Sequence, residues 1–231
     1  MHYLLIIHIL AGALALMAAV SAVVSSKGKK VHIIAGRTYF WGMTIIFLTA
    51  IPMSIVSGKV FLFLIAIFSF YLAYAGMRFA RNRTGIANIF DWVAIGLMIL
   101  SGTLMWCLAI YYFINNNSQY ITLIIFGFIA ISLGYTDFRG YRNKSAIGKQ
   151  RIARHLTNML AVTIVVITAV LVTNVYIEPV FIFWILPTIV ITPIIFWWNR
   201  KYTVSNKAFR KKSIEDSRYY FLSHEIWRLN L

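Results

Sequence analysis

Stretches of chain with no charged side chain recur from one end to the other. Each is long enough, at about 1.5 Å of rise per residue, to cross a hydrocarbon layer roughly 30 Å thick as an α-helix. The spacing predicts such helices over about 2–25, 38–57, 60–79, 92–114, 120–136, 156–176 and 180–199. Composition supports lipid as the solvent. The 231 residues are 61% hydrophobic and 12% charged with mean hydropathy +0.78, against roughly 45–50% apolar and 25% charged in soluble domains. The expected fold class is therefore all-α, an integral membrane bundle of about seven helices. Residues 1–200 form one transmembrane domain and 201–231 a basic tail. The short turn Ser57-Gly58-Lys59 leaves a re-entrant hairpin as the alternative for the second and third spans.

The basic residues orient this bundle. Of the 22 Lys and Arg, 21 fall after the first, third, fifth and seventh spans, and Lys59 alone falls on the other side. Cytoplasmic loops of membrane proteins carry such an excess, so the N-terminus is expected outside and the C-terminus in the cytoplasm. An even number of spans would place a basic loop outside. The net charge of +16 thus follows from topology and implies anionic lipid at the cytoplasmic face as a partner, not nucleic acid. The positive charges follow the first apolar stretch, at Lys27 to Lys30, whereas a secretory signal carries them before it. That stretch reads as a retained helix. The one cysteine, Cys107, lies within an apolar span and supports neither a disulfide nor a cysteine metal cluster.

Ionisable or polar groups inside a span call for partners. His8 shares a helical stripe with Ala11, Ala15, Ala18 and Ala22, small residues that let helices approach closely, so it is expected to face the bundle. On the sixth span His155, Met159, Thr163, Val166, Val170, Thr173 and Asn174 fall on one arc, which makes His8, Met159, Thr163 and Asn174 the candidate polar interior. On the third, Tyr71, Tyr74 and Arg78 share a face and read as interfacial anchors. His32, Arg37, Asp91, Asp137, Arg139 and His155 are expected at similar depth in the cytoplasmic loops, and their default reading is a solvated set of charges. Pro187 and Pro193 are expected to kink the seventh span.

Several of these residues together have a further likeness. His8 with Ala11-Gly12-Ala13, His32 with Gly36-Arg37-Thr38-Tyr39, Phe68-Ser69-Phe70-Tyr71-Leu72, Arg154-His155-Leu156 to Met159, and Pro187 with Thr192-Pro193 resemble a bacterial family of membrane proteins classed as a domain of unknown function. The resemblance spans nearly the whole chain and implies an architecture and a bacterial cytoplasmic membrane, with no activity attached. Where members of that family often carry a basic residue after the second histidine, this chain has Ile33.

Three function classes fit the residues. The first is a non-catalytic membrane partner, sensor or envelope-maintenance factor, which demands no site. The second is a small-solute or proton-coupled transporter, resting on His8, the stripe of the sixth span and the kinked seventh. The third is a membrane cytochrome binding haem or a quinone, with His8, His32 and His155 as the available imidazoles. His8 and His155 lie near opposite faces and cannot share one iron, so that reading requires His8 with Met53 or His32 with His155. No nucleophile or zinc-protease motif supports hydrolysis. In the tail, Tyr219, Leu222, Ile226 and Leu229 recur on one helix face downstream of Lys207, Arg210, Lys211 and Lys212, which predicts an interfacial helix with Trp227 at headgroup level.

Overall fold

The computed structural model describes residues 1–175, 179 and 181–201, so the expected tail helix lies outside the described residues. Among the described residues there are seven helices: α1 (His2–Val24), α2 (Lys30–Val56), α3 (Val60–Arg81), α4 (Ile89–Ile114), α5 (Tyr120–Arg142), α6 (Gly148–Asn174) and α7 (Phe181–Lys201). All seven are long and apolar enough to cross a membrane. Short connections join α1 to α6 in turn, and α2 to α5 each pack on the helix before, whereas α6 packs on α3 and α1. The turn after α2 places Gly58 at φ +65, a left-handed conformation that only glycine adopts without strain. Full-length helices flank it, so the re-entrant hairpin is not formed.

Several helices overrun their expected ends. α2 begins at Lys30 instead of 38, α5 continues to Arg142, and α6 starts at Gly148. The extramembrane loop expected over 137–155 thereby contracts to 143–147. At the α5 and α6 ends the cause is the pairing of Asp137 with Arg154. Charged residues that hydropathy assigns to a loop stay helical when a neighbouring helix neutralises them. α7 is helical through both Pro187 and Pro193.

α3 is the most buried helix and packs against α2, α4 and α6. Around it, small residues set the closest approaches. Ala11, Ala15, Ala18 and Ala19 of α1 are buried, and a Cβ added to Gly42 of α2 would lie 3.1 Å from that of Ala15. α4 and α5 are closer still. A Cβ on Gly102 would meet Gly127 O at 2.9 Å, and one on Gly127 would meet Gly102 O at 2.8 Å. Without a hydrophobic drive between helices in lipid, such van der Waals contact is a main source of association. Large side chains such as Leu10, Met17, Trp41, Ile110 and Phe128 point outward.

Candidate functional site

The polar groups gather where the C-terminal ends of α3 and α5 meet the N-terminal ends of α4 and α6, at the basic end of the bundle. Asp91 is the best-held carboxylate there. Asn88 and Asp91 make a reciprocal capping box at the start of α4, each side chain accepting from the other's backbone N–H at 2.9 Å. From α3, Arg78 Nε donates to Asp91 Oδ1 at 2.7 Å and Nη2 to Oδ2 at 2.6 Å, and Tyr74 OH adds a third bond at 3.0 Å. A two-pronged guanidinium contact of this kind fixes orientation as well as charge.

The second carboxylate is likewise buried. Asp137 of α5 is 4% exposed; its Oδ2 accepts from Tyr71 OH of α3 at 2.8 Å, and its Oδ1 accepts from Arg154 Nη1 of α6. The Arg154 guanidinium lies over the Phe79 ring, 5.6 Å from its centroid, and crosses α5 at Gly140, where a Cβ would stand 2.7 Å from its Cζ. Gly140 is therefore the residue that lets the arginine reach inward. One turn earlier, Arg151 donates to the carbonyls of Phe79 and Ala80, closing the C-terminal end of α3 with a positive charge. Tyr71, Tyr74 and Arg78 thus serve two neighbouring helices, α4 and α5, from one face of α3.

A thinner polar seam joins α1, α2 and α6. His8 Nδ1 lies 2.9 Å from Thr49 Oγ1, whose own hydrogen is directed to the carbonyls of Ile45 and Ile46, so His8 is the donor. Tyr39 OH lies 3.2 Å from Thr163 Oγ1, which already donates to Met159 O, so the tyrosine donates. Below them the rings of His32 and His155 meet with centroids 6.3 Å apart and planes at 85°. His32 Nδ1 faces Ala22 O at 3.0 Å and His155 Nδ1 faces Gly76 O at 2.8 Å.

Of the sequence candidates, His8, His32, His155, Met159 and Thr163 lie between helices, at least half covered. Asn174 does not belong with them. It is exposed at the end of α6, where its Nδ2 bonds to Val170 O and to Thr173 Oγ1 of its own helix, the ordinary fate of an amide at a helix end. His8 is separated from the His32–His155 pair by most of the length of α1, as expected. The set of charges expected in solvated loops splits: Asp91 and Asp137 are buried, while Arg139 is exposed. What sequence reasoning missed is that Arg78 and Arg154 are the partners. The available signal was the face shared by Tyr71, Tyr74 and Arg78, together with a chain that has only six acidic residues to offer.

Two cavities accompany these features. One, of about 290 Å³ and lined by Ser54, Ile55, Gly58, Val60 and Phe63, lies at the opposite end and is apolar. The other, of about 350 Å³, opens at the basic end between α5 and α6 and is lined by Tyr135, Thr136, Arg139, Asn143, Ser145 and Arg154 around Gly140. Neither touches His32 or His155, so the rings have no slot of porphyrin size among these cavities. Among the described residues no three metal-binding side chains converge. Compared with known proteins, the chain matches no family model, no curated protein and no solved structure.

Proposed function

We propose that this chain is a non-catalytic, multi-pass protein of a bacterial cytoplasmic membrane, with its N-terminus outside, whose basic end recognises phosphate-bearing anionic lipid. The observation that carries the reading is the cavity between α5 and α6. It presents Arg139, Asn143, Ser145 and one side of Arg154 to the membrane surface, and no described carboxylate pairs with Arg139. Both described carboxylates, Asp91 and Asp137, are already engaged by Arg78 and Arg154. The countercharge for the remaining cations must then come from outside the described bundle, and basic pockets between helices at this depth suit lipid phosphate. The same engagement speaks against ion-coupled transport, because neither carboxylate is left to carry a cation.

The test compares purified protein in nanodiscs of zwitterionic lipid with and without phosphatidylglycerol. Anionic lipid is expected to raise the melting temperature of the wild type, and Arg139→Gln to reduce that rise without changing the melting temperature in zwitterionic lipid. An equal rise in wild type and variant overturns the reading. A rise given by inorganic phosphate alone, in zwitterionic discs, identifies a soluble anion in place of lipid. Orientation is tested separately: reporter fusions after Arg83 and Lys149 are expected to report cytoplasm and one near Asn116 the outside. The opposite pattern would invert the topology.

A further inference from the structure

The His32–His155 pair has a proton inventory that the rest of the bundle does not complete. A carbonyl oxygen cannot donate, so each Nδ1 facing a carbonyl must carry the ring hydrogen. A neutral imidazole has only one such hydrogen. Both Nε2 atoms are consequently lone-pair acceptors, on rings in direct contact, and no donor reaches either one among the described residues. Fixing the tautomer through a backbone carbonyl is how proteins prepare histidine for a metal. The same tautomer at His8 lacks a second ring to face.

The spacing narrows the choice of ion. Two imidazoles bound through Nε2 on opposite sides of one metal, with bonds of about 2.0 Å and about 1.1 Å more from nitrogen to ring centre, put their centroids roughly 6.2 Å apart. A tetrahedral angle at the metal would bring them to about 5 Å. The observed 6.3 Å fits the opposed arrangement. Charge points the same way. Asp91 and Asp137 are both spent on arginines, so nothing among the described residues at the pair offsets a divalent ion. Imidazole suits copper, and monovalent copper accepts two opposed ligands without further donors. The surroundings are held in place: Gly76, whose carbonyl orients His155, packs so closely under Met159 that a Cβ there would lie 2.8 Å from Met159 Cε. His32, near the basic surface, is half-buried, which leaves a path for the ion.

We propose that His32 and His155 form a two-histidine site for one monovalent copper ion, bridging α2 and α6. The experiment titrates copper(I) into the full chain in detergent, under reducing conditions, against a chromophoric competitor. Wild type and His8→Leu are expected to take up about one copper per chain, with X-ray absorption reporting two nitrogen neighbours. His32→Leu and His155→Leu should each weaken uptake at least tenfold. His32→Gln and His155→Gln repeat the measurement in case leucine disturbs the fold, and circular dichroism verifies every variant. No uptake by wild type overturns the proposal, as it would if the rings merely share a proton. So does loss in only one of the two histidine variants, or a four-coordinate zinc site that outcompetes copper.

Discussion

The α1–α2 hairpin and the α3–α6 group hold their helices together by different means. α1 and α2 meet along Ala11, Ala15, Ala18 and Gly42, with two side-chain bonds, His8 to Thr49 at the end away from the basic residues and His32 to the Ala22 carbonyl at the other. α3 to α6 are joined at one end by two arginine–carboxylate pairs, two tyrosine hydroxyls and Arg151 on the carbonyls of α3. Close packing of small residues distributes its energy along the whole contact and is insensitive to any one atom. A buried ion pair concentrates it, because losing one partner strands a charge in a low-dielectric interior. The first arrangement tolerates change and the second specifies which helix ends belong together.

The largest expected effect follows from that asymmetry. Arg154→Met leaves Asp137 buried without its cation and should destabilise the protein by about 3–5 kcal/mol, read from denaturant unfolding in bicelles. Combining it with Asp137→Leu should recover most of the loss, since removing both charges of a buried pair is often neutral. A double variant as unstable as Arg154→Met would mean that the pair contributes net stability, and that the cost is not that of an orphaned charge.

This contrast also explains how much was legible in the sequence. Spans are read from length and lack of charge, properties each segment carries alone, and the cores of all seven appear where expected. Pairing is not such a property. Asp137 and Arg154 are 17 residues apart, and Arg78 and Asp91 are 13 apart, on different helices. A hydropathy reading leaves Asp91, Asp137 and Arg154 in loops and Arg78 as an anchor at a span end, with nothing to pair them. The helices instead extend over them, which is why α5 and α6 were expected too short. His8 was legible because its stripe of alanines lies within its own helix. His32 and His155 were readable as a pair of similar depth, but their tautomers depend on the carbonyls of Ala22 and Gly76, which no pattern along the chain identifies.

A smaller effect separates packing from polarity. Gly127→Leu, in the α4–α5 contact, must displace Trp106, whose Cδ1 would lie 2.6 Å from even a first added carbon, and Gly102 O at 2.8 Å. Overpacking of this sort costs about 1–3 kcal/mol. Gly96→Leu, on the same α4 but with nothing within 4 Å of the added carbon, should shift the melting temperature little. Equal losses in the two would show that glycine acts here through backbone freedom and not through the close approach of α4 to α5.

The smallest effect belongs to the polar seam of the hairpin. Interhelical hydrogen bonds inside membranes contribute about 0.6 kcal/mol on average, and roughly 1.7 at most, because the separated helices also find partners for their polar groups. His8 donates to a threonine hydroxyl that is already bonded to the carbonyls of Ile45 and Ile46, so Thr49 remains satisfied when the imidazole is removed. His8→Leu should therefore cost no more than that range, far less than Arg154→Met although both residues sit at helix ends. A double-mutant cycle with Thr49→Val isolates the bond: a coupling of about 0.6 kcal/mol is expected. A coupling of several kcal/mol would place His8 with the concentrated interactions of the basic end, and the two regions would no longer differ in kind.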